Sequence, residues 1–275
     1  MKSSQEDTTK YVLFLDILGF KKRLKVLNQK GAKRFISRFS STVYRQWKEY
    51  EKFDNGLEGY IFSDSLIIST KDASPESLVD LLKIAKDICQ KELSENRYLM
   101  RGGLEKGEYD KLKAIELNTL EKGLVVGQAY IDAYLLEGSL KTTSIILSEK
   151  VYEDARNLNQ KDFSISEELV GAKNSYVFNY LGHDFLLDRQ ILEKFTEQAI
   201  KSKWLPHYYN GLYFSLKNEK TEKVDQVFTK IISTINGSEP SEHKSDLDCF
   251  EKKASAKGVV FGAQNEFSRY FRSKL

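Results

Sequence analysis

Two short runs of this chain each carry a carboxylate at the end of an apolar, β-branched and aromatic stretch. Tyr11 to Leu15 (YVLFL) leads into Asp16. Gly59 to Phe62 (GYIF) leads into Ser63-Asp64, and Leu66-Ile67-Ile68 follows. Runs of this composition read as strands buried on both faces. A carboxylate there is costly without a compensating charge. A single such Asp reads most simply as the end of a strand that caps the next turn. Two with the same placement, on strands able to lie side by side, favour a site for Mg²⁺. That ion takes hard oxygen ligands, often one or two carboxylates completed by substrate phosphates.

Composition narrows the setting. The 275 residues allow one large domain or a catalytic domain with an appendage, and 43 basic against 40 acidic residues leave a net charge of only +3. Neither a nucleic-acid scaffold nor a membrane-surface protein is expected from that balance. No apolar stretch approaches the ~20 residues of a spanning helix, and the polar start MKSSQEDTTK does not read as a signal peptide. Cys89 and Cys249 have no close-spaced partner, so neither a disulfide framework nor a zinc site is expected. Cys89 falls in a helical apolar pattern and is expected in the core. A cytoplasmic location is the default.

Element order follows from periodicity and punctuation. A strand over 11–16 precedes one or two helices over about 20–53, with Gly31 as the expected break. Residues 57–69 read as a hairpin turning at Ser63-Asp64. Ser74-Pro75-Glu76 starts a helix, with Ser as N-cap and Pro at the first helical position. It runs to about Glu95, with Leu78, Leu81, Leu82, Ala85, Ile88 and Cys89 on one face. A strand is expected over 97–106, a helix after Gly123–Gly127 carrying Ala129, Ala133 and Leu136, and a strand over 143–147. The order β-α-β-β-α-β-α-β predicts an α/β (α+β) sandwich of the ferredoxin type, with one mixed sheet. Residues 1–10 are expected to be a flexible N-terminus, 11–188 a catalytic domain and 189–275 a helical extension. In that extension Trp204, Tyr208, Tyr209, Leu212 and Phe214 serve packing. A polar break falls at 237–244, and a last helix is expected over about 246–275.

With these elements placed, the chain resembles the class III nucleotidyl cyclase catalytic domain. Within that superfamily it is most similar to the bacterial pyrimidine cyclases of anti-phage signalling. The resemblance rests on LDILGFK (Leu15–Lys21), GYIFSDSLI (Gly59–Ile67), RGGLEKG (Arg101–Gly107) and VGQAYIDAYLLE (Val126–Glu137), and spans roughly residues 10–185. It implies that Asp16 and Asp64 bind two divalent cations, Mg²⁺ or Mn²⁺, with the backbone carbonyl of Ile17. It also implies that Gly19 and Phe20 present N–H groups to the β- and γ-phosphates, as a helix start favours. Gly19 is expected to permit an approach that a Cβ would block. Lys21 and Lys22 stand ready to neutralise phosphate charge, or are simply solvated.

Four residues before the second Asp, purine cyclases of this class carry Lys or Glu; here the residue is Tyr60. The resemblance assigns Tyr60 to the base and points to UTP or CTP as substrate and a 3′,5′-cyclic pyrimidine monophosphate as product. The other reading of Tyr60 is strand packing. The third motif departs from the family. Ile131 and Leu135 stand where cAMP-forming cyclases carry Asn and the transition-state Arg, and neither can donate a hydrogen bond. Arg101, Lys141, Lys21 and Lys22 are the candidate replacements. Arg101 acts either on base or phosphates or as a buried ion pair fixing the sheet. The resemblance further implies a homodimer with two symmetric sites, and a separate effector that senses the product without a stable complex. The alternatives are a purine cyclase, or a silent module that binds nucleotide or protein.

Overall fold

The computed structural model describes residues 8–52, 56–112, 124–158, 162–170, 172–236 and 257–274. Nine strands and ten helices are present among them. In chain order they are β1 (Thr9–Ile17), α1 (Phe20–Leu24), α2 (Gln29–Glu51), β2 (Glu58–Phe62), β3 (Ser65–Ser69), α3 (Pro75–Lys91), β4 (Met100–Glu108), β5 (Asp110–Leu112) and β6 (Leu124–Val126). There follow α4 (Gln128–Ser139), β7 (Ile145–Leu147), α5 (Glu149–Ala155), β8 (Ser164–Val170), β9 (Lys173–Asn179), α6 (His183–Leu187) and α7 (Arg189–Lys201). The chain closes with α8 (Pro206–Leu216), α9 (Thr221–Asn236) and α10 (Phe261–Lys274). A π-turn over Glu92–Asn96 extends α3. Cys249 and the start of the expected last helix lie outside the described residues.

Seven strands form one sheet in the order β2-β3-β1-β4-β7-β9-β8, with β4 and β7 parallel and the other neighbours antiparallel. This is the expected mixed α/β sandwich. β1 is central and fully buried from Tyr11 to Leu15. Its alternation splits the molecule, since successive side chains face opposite ways. Tyr11, Leu13, Leu15 and Ile17 join the large core under α2, α3 and α5, whereas Val12 and Phe14 face a smaller cluster under α4. Asp16 shares the α4 face. α4 lies close on that face because Gly103 has no side chain: a Cβ there would meet the carbonyl oxygen of Ala133 at 2.0 Å.

Local signals set most element ends. Ser74 caps α3 by accepting from the Ser77 N–H, and the Asp72 carboxylate accepts from Ser74 and Ser77 behind it. The first helical break falls at residues 25–28, before Gly31. Asn28 caps α2 by accepting from the Gly31 N–H at 2.8 Å, and Gly31 lies inside the first turn. A side-chain cap at the right distance outweighs one glycine's helix penalty. The GYIF run is a strand but not a buried one. β2 is the sheet edge, and Phe62 is 69% exposed. Trp204, Tyr208, Tyr209, Leu212 and Phe214 are buried in the same core cluster as the sheet. No described helix is long and apolar enough to cross a membrane.

Candidate active site

The β1, β3 and β4 registers gather the charged side chains. Asp16 lies opposite Ser65 on one side and Arg101 on the other. Asp64 is in the two-residue turn of the β2–β3 hairpin, beside Ser63, whose φ of 57° supplies a left-handed residue that tight hairpins need. The turn brings the Asp64 carboxyl into hydrogen-bond contact with that of Asp16. Ser65 Oγ donates to Asp16 Oδ1 at 3.4 Å, and Arg101 Nη2 lies 3.4 Å from Asp16 Oδ2. Arg101 Nε is ion-paired with Glu137, which reaches down from α4 and is 9% exposed.

Burial, followed by the neighbouring Asp64 carboxyl, pushes Asp16 up to about 7, and Arg101 only partly offsets this. Burial likewise raises Glu137 against the pull of Arg101. One guanidinium thus serves two of the three carboxyl groups, Asp16 and Glu137.

These groups line one cavity of about 350 Å³. Its walls include Phe14, Asp16, Ile17, Gly19, Phe20, Lys21, Asp64, Arg101, Tyr134 and Glu137. Of the ten candidate site residues singled out from sequence, seven meet there, Asp16, Ile17, Gly19, Phe20, Lys21, Asp64 and Arg101, while Lys22, Tyr60 and Lys141 do not line it. Tyr60 stands apart. It lies opposite Ile67 on the same sheet face and packs with Val125 and Tyr130 against the Val12–Phe14 cluster, reaching the cavity only through Phe14. Lys141 does not line the cavity; its carbonyl is bound by Asn210 Nδ2 at 2.6 Å. Gly19 is required for a different reason from the one expected. A Cβ would meet nothing within 4 Å, but φ is +79°, a conformation L side chains avoid. No side chain caps the start of α1, so its first N–H groups keep free hydrogen-bonding capacity.

Sequence reasoning passed over Glu137, although the signal was present. It follows Ala129 and Ala133 at four-residue steps, placing a carboxylate on the apolar face of α4. Ile131 and Leu135 are on the opposite, exposed side, at 49% and 61% exposure, while Tyr134 lies toward Phe14 and the cavity at 53%. Among the described residues no three His, Cys, Asp or Glu side chains gather into a protein-only metal cage. The donor set nevertheless suits a hard cation: two adjacent carboxyl groups, with Asp16 pushed up by burial, beside a strand-end carbonyl, with open space for phosphate and water oxygens.

No family model and no curated protein matches the chain. Among solved structures, the chain is similar to the guanylyl cyclase domain of the RhoGC fusion protein from the aquatic fungus Blastocladiella emersonii. The TM-score is 0.50 at 17% identity, over 62% of this chain and 94% of that one. Another similar structure is the adenylyl cyclase CyaB from P. aeruginosa, with TM-score 0.49 at 13% identity, over 62% and 93%. The likeness at TM-score 0.50 shows a shared fold, the mixed α/β sandwich of that guanylyl cyclase domain.

Proposed function

We propose that this protein is a metal-dependent nucleotidyl cyclase that converts a pyrimidine nucleoside triphosphate, UTP or CTP, to the 3′,5′-cyclic monophosphate and pyrophosphate. The observation that carries the reading is the Asp16–Asp64 carboxyl pair, in mutual contact at a cavity that also holds Arg101 and the Gly19 turn. In this reading Asp16, Asp64 and the carbonyl of Ile17 hold Mg²⁺ or Mn²⁺, two per site. When bound, such ions would offset the charge of the triphosphate and lower the pKa of the ribose 3′-hydroxyl.

The chain's own groups do the rest. The N–H groups of Gly19 and Phe20, at the start of α1, and the Lys21 ammonium receive the β- and γ-phosphates. Arg101 takes the place that Ile131 and Leu135 cannot fill. Glu137 and Asp16 hold its guanidinium at the cavity wall, where it faces charge developing on the phosphorus. Tyr60 is assigned to the base. Phe62 on the hairpin and Ile131, Tyr134 and Leu135 on α4 are exposed apolar side chains, and Tyr134 also lines the cavity, which suits a second copy that closes the site in a homodimer. Residues 11–188 form the catalytic domain in this reading and 189–275 its extension. The product serves as a second messenger in anti-phage defence, read by a separate effector.

The apolar Ile131 and Leu135 favour one competing reading, a silent module that binds nucleotide without turning it over. Purified protein incubated with Mn²⁺ and each of the four ribonucleoside triphosphates, with products separated by mass, decides. A cyclic pyrimidine monophosphate is expected. Cyclic AMP or GMP as main product overturns the role of Tyr60, and absence of any product overturns the enzyme.

A further inference from the structure

The C-terminal helices reach the candidate site from behind, through Arg23. This residue lies in α1, the short helix that begins at the cavity wall, and its N–H donates to the Gly19 carbonyl at 3.1 Å. Its guanidinium lies over the rings of Phe35 and Tyr98, 5.7 and 5.2 Å from their centroids. Phe35 in turn packs on Phe20, with centroids 5.6 Å apart. Arg23 Nη2 donates to the Arg97 carbonyl at 3.3 Å and to Oε1 of Gln198 in α7.

Among the described residues no carboxylate forms an ion pair with Arg23, and burial lowers its pKa. A half-buried guanidinium held by neutral acceptors adds little to stability by charge alone. It fixes geometry well, because its planar fork spans two partners at once.

The α7 side is built to match. Lys194, Glu197 and Gln198 share one helix face. Lys194 Nζ donates to the Ser94 carbonyl at 2.6 Å, Glu197 accepts from Arg97 at 2.6 Å, and Gln198 accepts from Arg23. One face of α7 therefore holds the turn after α3 and the helix that follows Gly19.

We propose that Arg23 is a positioning residue: clamped by Gln198, it sets the Gly19–Lys21 turn against the Asp16–Asp64 pair. The C-terminal helices are then a working part of the site. The functional consequence rests on the cyclase reading; the clamp itself does not.

The test uses the full chain and its Gln198→Leu, Gln198→Glu and Arg23→Lys variants. Hydrogen exchange is followed by mass spectrometry, with triphosphate kinetics alongside. Gln198→Leu is expected to speed exchange over residues 18–24 by about tenfold, the scale of a lost charge-assisted hydrogen bond, while residues 11–16 keep their rate. KM for the triphosphate should rise by a similar factor, with kcat changing less. Gln198→Glu, which keeps the acceptor, should restore both. Arg23→Lys should fall between, because it loses one donor arm. Unchanged exchange over 18–24 in both Gln198→Leu and Arg23→Lys overturns the clamp, as does a rise spread evenly over the whole chain. If the wild type turns over no triphosphate, the cyclase reading fails while the exchange rates still decide the clamp.

Discussion

Asp16 and Glu92 are both carboxyl groups pushed up by burial, but their neighbours give them different uses. Asp16 has a second carboxyl in contact, a guanidinium 3.4 Å away and a cavity in front. Glu92 is fully buried in the π-turn after α3, pushed up to about 8, with Asn96 Nδ2 donating to it at 2.9 Å. Burial raises Glu92 above its ordinary value, so the folded chain keeps a proton that the unfolded chain releases. The resulting stabilisation is complete below about pH 4.5 and is lost as pH rises through about 8. Urea unfolding should show stability falling from pH 5 to 9 in the wild type. Glu92→Gln should flatten that slope and be more stable at pH 9 by on the order of 2 kcal/mol. An unchanged slope would mean that Glu92 ionises normally. At this scale the sequence was a good guide where backbone pattern fixed the neighbours. Asp16 and Asp64 meet because two strand ends do. Tyr60 was harder to place, since nothing in the order of residues says whether a strand side chain turns toward a cavity or toward the next ring.

Elements carry the site through two close approaches. The β2–β3 hairpin delivers Asp64, and α4 resting on Gly103 delivers Glu137. Gly103→Ala places a Cβ 2.0 Å from a carbonyl oxygen and 2.8 Å from the Glu137 nitrogen, so α4 must lift. The expected cost is about 1–3 kcal/mol of stability. Activity should fall by about 100-fold if Glu137 and Arg101 shift by ~1 Å. Thermal melting and turnover check both, and full activity would detach α4 from catalysis. The hairpin and α3 were legible because turn and cap residues announce them. The β8–β9 hairpin was not foreseen. In SISEELV, charged residues break the apolar run, and the strand becomes one only by pairing with β9 along its whole length. The GYIF run misled in the other direction. Apolar composition reads as burial, but edge position decides the outcome.

For the whole molecule, the large core runs from the sheet through the C-terminal helices, while on the other side Phe62 of β2 and Ile131, Tyr134 and Leu135 of α4 are exposed. A second copy on that face would bury Phe62, Ile131, Tyr134 and Leu135. Leu135→Asp should fold with near-wild-type stability, because the side chain is 61% exposed. It should sediment as a monomer, with activity falling in step. A variant that stays dimeric and active would place the interface elsewhere. The proposed dimer rests on the resemblance, because no single chain's periodicity encodes a partner. All of this depends on cations held between Asp16 and Asp64, and calorimetric titration of Mn²⁺ tests that most directly. In the presence of a non-hydrolysable triphosphate analogue, the wild type should bind two ions per protomer and Asp64→Ala should lose that binding while remaining folded. Equal binding by the two proteins would contradict the account.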